Sequence, residues 1–140
     1  MKDKRRLLVV IYIVIFISAV FAESDEKEDA AIAAAEEWIT LVDSGKYIDS
    51  WNASAALFRA SITAKKWKRT LLAIHKPIGK IVSREIKSST PTNELPGVPD
   101  GDYIVIRYKS RFQLKKSAVE TVTVMLEEDG VWRVAGYYIR

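Results

Sequence analysis

Glu120 to Tyr138 reads E-T-V-T-V-M-L-E-E-D-G-V-W-R-V-A-G-Y-Y, two β-rich runs on either side of Glu128-Asp129-Gly130. That short loop closes an antiparallel hairpin, with Gly130 able to take a positive φ. A three-residue loop sets Leu126 opposite Trp132, Val124 opposite Val134, Val122 opposite Gly136 and Glu120 opposite Tyr138. All but the last pair are apolar or small, so this register builds one buried face that ends in a carboxylate and a phenol. A two-residue loop would set Leu126 against Arg133 instead.

Upstream, Ile104, Ile106, Tyr108, Ser110 and Phe112 alternate with Val105, Arg107, Lys109 and Arg111, as in a strand with one face buried. If Gln113 to Ser117 turns the chain, Tyr108 faces Val122 and Ser110 faces Glu120, and the apolar faces agree across both hairpins. Ile81 to Ser88 also alternates, with Val82, Arg84, Ile86 and Ser88 on one face. Between these strands, Ser89 to Gly101 holds three of the four prolines and two glycines, the composition of a long irregular loop.

The chain before Gly79 follows a helical period. Ser24 or Asp25 caps a first helix with an acidic first turn, and Ala31, Ile32, Ala35, Trp38, Ile39 and Val42 form its apolar stripe up to a stop at Gly45. A shorter helical piece begins near Tyr47, includes Trp51 and runs to Ile62. Thr63 caps a third helix that carries Trp67, Leu71 and Ile74 on one side and ends at Pro77 and Gly79. Helices followed by a four-stranded antiparallel meander make an α+β fold, with the helices packed on one face of the sheet.

The first residues have another purpose. Lys2, Lys4, Arg5 and Arg6 precede an apolar run, Leu7 to Ile17, and then Val20-Phe21-Ala22 before acidic Glu23. This is the pattern of a secretory signal peptide, residues 1–22, cut after Ala22; the alternative is an anchor of residues 7–22 left in the membrane. Of the 22 Lys and Arg and 18 Asp and Glu in the chain, the segment holds four and one, so its removal lowers the net charge from +4 to +1. The basic balance belongs to targeting, and nucleic acid is not an expected partner. Residues 23–140 form one domain, exported to the periplasm or secreted. With no cysteine, the domain depends on its core alone, and thiol chemistry and cysteine metal sites are excluded.

Four stretches carry a family resemblance: W-I-T-L-V-D-S-G-K-Y-I-D-S-W (Trp38–Trp51), L-P-G-V-P-D-G-D-Y (Leu95–Tyr103), K-S-A-V-E-T-V (Lys116–Val122) and W-R-V-A-G-Y-Y-I (Trp132–Ile139). Together they resemble the exported bacterial domain-of-unknown-function family 4019. The resemblance implies a cystatin-like, nuclear-transport-factor-two-like cone, a curved four-stranded sheet wrapped around a helix with a pocket between them. It implies no reaction and no catalytic residues.

Within such a pocket, Trp38, Trp51, Arg84, Tyr108, Glu120, Trp132 and Tyr138 are the candidate lining. Glu120 at the polar end of an apolar face suits a ligand contact or a general base, and equally a structural ion pair with Arg84. Asp43 and Tyr47 flank Gly45, where they either reach the pocket mouth or serve as a turn residue and a packing anchor. His75 is the only histidine, in the last turn of a helix, so nothing in the sequence implies a metal or other cofactor. Lys65, Lys66, Lys68 and Arg69 surround Trp67, either as an anionic-partner patch or as a solvated helix face. Three functions stay open: non-catalytic binding of a small molecule or protein partner, acid–base catalysis through Glu120, and homodimerisation through the outer sheet face. Membrane contact is expected only through the signal segment.

Overall fold

The computed structural model describes the backbone of residues 2–140 and the side chains of residues 20–140. The signal-peptide expectation for residues 1–22 lies almost wholly outside the described side chains. Four helices precede four strands: α1 (Lys2–Asp43), α2 (Tyr47–Asn52), α3 (Ala56–Ser61), α4 (Ala64–Ile78), β1 (Ile81–Thr92), β2 (Tyr103–Phe112), β3 (Lys115–Leu126) and β4 (Trp132–Ile139). The strands form one antiparallel sheet in the order β1-β2-β3-β4. The fold is α+β, with helices packed against an open four-stranded sheet, compatible with the cone architecture. Among the described residues no helix is long and apolar enough to cross a membrane.

Helix α1 starts earlier than its composition suggests. No glycine or proline interrupts residues 2–43, and Ser24 does not cap: its hydroxyl donates to the Phe21 carbonyl within the helix. The expected apolar stripe is real, since Ala31, Ala35, Trp38, Ile39 and Val42 are all buried. The two alanines let α1 lie close to the sheet, and the helix touches every strand. Opposite it, Ile104, Ile106, Tyr108, Val122, Val124 and Val134 complete the core, with Phe58, Trp67 and Leu71 from the smaller helices.

The piece from Tyr47 to Ile62 is two helices rather than one. Ala55 adopts an extended conformation, and its N–H leaves the helical ladder to bond the Val134 carbonyl of β4 at 2.8 Å. The break is held from inside by indoles. Trp38 Nε1 donates to the Ser50 carbonyl (2.8 Å) and to Ser54 Oγ (2.9 Å), while Trp67 Nε1 donates to Ser50 Oγ (3.0 Å). Both serines are fully buried, and a buried hydroxyl needs such partners. Thr63 caps α4 as expected, accepting from Lys66 N, and Gly79 closes it with φ 77°.

The sheet differs from expectation in the registers of both hairpins and in the alternation and length of β1. The loop Glu128-Asp129-Gly130 is as read, with Leu126 opposite Trp132 and Val124 opposite Val134. A shift between Thr123 and Val124 then pairs Thr123 with Gly136, Val122 with Tyr137, and Glu120 with Ile139. An odd shift exchanges faces, so Tyr137 turns inward and Tyr138 outward. Strands β2 and β3 meet through a two-residue turn, Gln113-Leu114, which pairs Tyr108 with Glu120 and Ser110 with Ala118. This displacement is even, so the same side chains stay inside. Strand β1 continues to Thr92, and Pro91 is tolerated because β1 is an edge. Shifts near Val82 and Lys87 interrupt its alternation, leaving Val82 and Ile86 exposed while Arg84 points inward.

Candidate functional site

Arg84 enters from β1 and meets two carboxylates, one from the end of α1 and one from β3. Its Nη1 and Nη2 donate to Asp43 Oδ2 (2.7 Å) and Oδ1 (3.0 Å). Its Nε and Nη2 donate to Glu120 Oε2 (2.6 Å) and Oε1 (3.0 Å). Paired fork geometry of this kind suits the planar guanidinium, and a lysine cannot reproduce it. Burial alone would lower the Arg84 pKa, but the hydrogen bonds to Asp43 and Glu120 outweigh it and raise the group above its ordinary value.

The two ends of this bridge are not equivalent. Glu120 is wholly buried, and its Oε1 also accepts from the Tyr137 hydroxyl at 2.7 Å while Oε2 accepts from Ser110 Oγ. Four donors fill the roughly four acceptor sites of a carboxylate. Burial first, then the Glu120 charge, raises the Tyr137 phenol above its ordinary value, so it stays a donor. Asp43 is different. Among the described residues only Arg84 donates to it, one bond per oxygen, and its side chain is 18% exposed. The bridge is closed at Glu120 and open at Asp43.

Asp43 opens onto a cleft of about 650 Å³ between the C-terminal ends of α1 and α4, the start of β1 and the β2–β3 turn. Tyr47, Leu72, His75, Lys76 and Lys80 share its lining. His75 Nε2 is buried and has no hydrogen-bond partner among the described residues. Burial lowers the His75 pKa below its ordinary 6.5, against the raising influence of Glu120 and Asp43. The imidazole is therefore neutral near pH 7 and adds no positive charge at the end of α4. Its ring centroid is 6.3 Å from that of Tyr47 and 6.1 Å from that of Phe112.

The candidate lining residues separate. Arg84 and Glu120 meet, and Tyr108 lies directly across from Glu120 on β2. The Tyr108 hydroxyl is buried without a partner among the described residues; burial and the nearby Glu36 push its pKa up to about 12. Trp38 is a core residue tied to Ser50 and Ser54, and Trp51 donates its indole N–H to the Ile62 carbonyl at 2.8 Å. Trp132 packs on the edge of the core beside a separate groove between α1 and β4. Tyr138 is 47% exposed on the outer sheet face, where Arg107, Lys109 and Arg111 also point to solvent. Trp67 is buried, and Lys65, Lys66, Lys68 and Arg69 around it are exposed.

Sequence reasoning passed over Tyr137, Leu72, Lys76 and Lys80. Tyr137 was hidden by the odd register shift. Leu72 is an exposed apolar residue on α4, and a single such residue carries no signal on its own. Among the described residues, no group of three or more His, Asp or Glu is placed to hold a metal ion.

A helical layer on one face of an antiparallel meander, with a buried arginine bridge beside an end-on cleft, defines an α+β domain of undetermined activity. Residues 34–137 match the family described as protein of unknown function (DUF4019), and the chain belongs to that family. No curated protein matches it.

Proposed function

We propose that this chain is an exported, non-catalytic binding domain that holds a small molecule in the cleft beside Asp43. The observation that carries the reading is the asymmetry of the Arg84 bridge. Glu120, the best sequence candidate for a general base, has every acceptor site occupied and no solvent access. A base must reach the proton it removes, so acid–base chemistry at Glu120 is disfavoured. Asp43 retains acceptor capacity and faces a cleft whose volume suits a small ligand. The buried, unpartnered Nε2 of His75 supports the same place, because such a group gains most from an incoming partner. Export rests on the basic, apolar and small-residue pattern of residues 1–22.

Native mass spectrometry of the chain recovered from an exporting cell tests both parts. A chain beginning at Glu23 and carrying extra mass that leaves on denaturation is the expected result, with that mass lost in Asp43→Asn. A bare wild-type chain would sink the ligand reading, and a retained Met1 would replace cleavage with anchoring.

A further inference from the structure

The charges around the cleft are arranged in order of depth. At the inner end are the Asp43 carboxylate and the unpartnered His75 Nε2, both largely shielded from solvent. Arg84, which neutralises Asp43, does not line the cleft, and it is shared with a second buried carboxylate. The buried set of Asp43, Arg84 and Glu120 therefore carries one net negative charge. Helices α1 and α4 both end here, at Asp43 and Ile78, and their C-terminal carbonyls add partial negative charge. The N-terminus of α2 also opens here, but six residues carry only a small opposing dipole. The outer end has the reverse sign, since Lys76 and Lys80 are exposed on the lining. Val42, Tyr47, Leu72 and Ile81 give the same lining its apolar surface.

We propose that the cleft takes a zwitterion of the amino-acid type, its ammonium on Asp43 and His75 and its anionic end between Lys76 and Lys80. An ammonium brings three donors, and the inner end presents the acceptor capacity that Asp43 keeps beyond its bonds to Arg84, together with His75 Nε2, unpartnered among the described residues. A neutral imidazole accepts such a donor at Nε2 when its proton sits on Nδ1, and burial keeps His75 neutral. The ligand's carbon body covers Tyr47 and Leu72. A simple anion finds acceptors at the inner end, and a simple cation meets two lysines on entry, so only a dipolar molecule is matched at both ends. This inference rests on the binding reading above.

Calorimetric titration of the full chain with 4-(aminomethyl)benzoate, benzylamine and 4-methylbenzoate tests it. The zwitterion is expected to bind about tenfold or more tightly than either single-charge probe. In the Lys76→Glu, Lys80→Glu double variant, whose changes lie on exposed positions, that advantage is expected to disappear while benzylamine binds no more weakly. Equal affinity for the three probes, or an advantage that survives the double charge reversal, overturns the zwitterion. Resonances of Tyr47 and Leu72, followed by NMR in the same titrations, separate the two levels. If all three probes shift them equally, the charge assignment falls and the binding cleft stands. If none shifts them, both fall.

Discussion

The Arg84 guanidinium meets the Asp43 carboxylate end-on, Nη1 to Oδ2 at 2.7 Å and Nη2 to Oδ1 at 3.0 Å, across 41 positions of sequence. This pair fastens the end of the long helix to the first strand. With Glu120 on the adjoining Nε–Nη2 edge of the same guanidinium, one side chain joins α1, β1 and β3. Such a bridge is costly to interrupt, because removing one member leaves another charged and buried.

Arg84→Met is therefore expected to lower stability by about 3–5 kcal/mol in urea unfolding, as expected for loss of one partner from a buried pair. Glu120→Gln is expected to be damaging as well, since its single amide oxygen keeps an acceptor for only one of Tyr137 and Ser110. The double variant should lose less than the sum of the single losses, since each change removes the charge the other leaves unpaired. Strict additivity would mean that the two groups are not coupled.

A smaller network makes the second case. Ser50 Oγ accepts from Trp67 Nε1 and donates to the Tyr47 carbonyl, so Ser50→Ala leaves a buried indole N–H without its partner. The expected cost is about 1–3 kcal/mol. Ser54→Ala should cost less, about 1 kcal/mol or below, because Trp38 Nε1 keeps its bond to the Ser50 carbonyl. Thermal melts of the two variants, ranked against wild type, decide the order.

Titration of His75 has a definite sign. Its folded pKa lies below the ordinary 6.5 of the unfolded chain, chiefly through burial, so the unfolded state takes up the proton first as pH falls. The full contribution to stability is present above about pH 6.5 and is lost progressively below it, down through the folded pKa. His75→Phe should flatten the stability–pH profile in that window. An unchanged slope would assign the acid sensitivity to other groups.

Two glycines at positive φ differ in the space around them. Gly45 and Gly79 have φ of 73° and 77°. A Cβ at Gly45 meets nothing within 4 Å, whereas at Gly79 it would sit 3.0 Å from the Gln113 Cβ. Gly45→Ala is expected to cost about 1 kcal/mol from strain alone. Gly79→Ala should cost more, because φ 77° with ψ −164° is a region essentially reserved to glycine and the Cβ also presses on the β2–β3 turn that borders the cleft. Equal losses would show that backbone and turn both yield freely.

Much of the architecture was legible along the chain. The three-residue loop after Glu127, the Thr63 cap, the α1 stripe and the alternation of β2 and β3 are local consequences of periodicity, capping and turn chemistry. They place the helices and the sheet and bring Glu120 and Arg84 to a common interior. The W-I-T-L-V-D-S-G-K-Y-I-D-S-W stretch also acquires a physical meaning: Trp38 and Ser50 are bonded, Asp43 holds Arg84, and Gly45 makes the left-handed turn between them. Asp43 was visible as a helix-end residue, but nothing local distinguishes a carboxylate that bonds nearby backbone from one that holds a distant arginine.

By itself the sequence determined the order of helices and strands, the inward face of β2 and β3, and the concentration of excess positive charge in residues 1–22. Those properties depend on neighbours a few residues apart. The tertiary structure alone decided that Tyr137 rather than Tyr138 reaches Glu120, that the helix after Tyr47 breaks to bond β4, and that Asp43 faces an open cleft. Each depends on a bulge, a hydrogen bond or an ion pair between residues far apart in the chain, and side-chain pattern does not encode those separations.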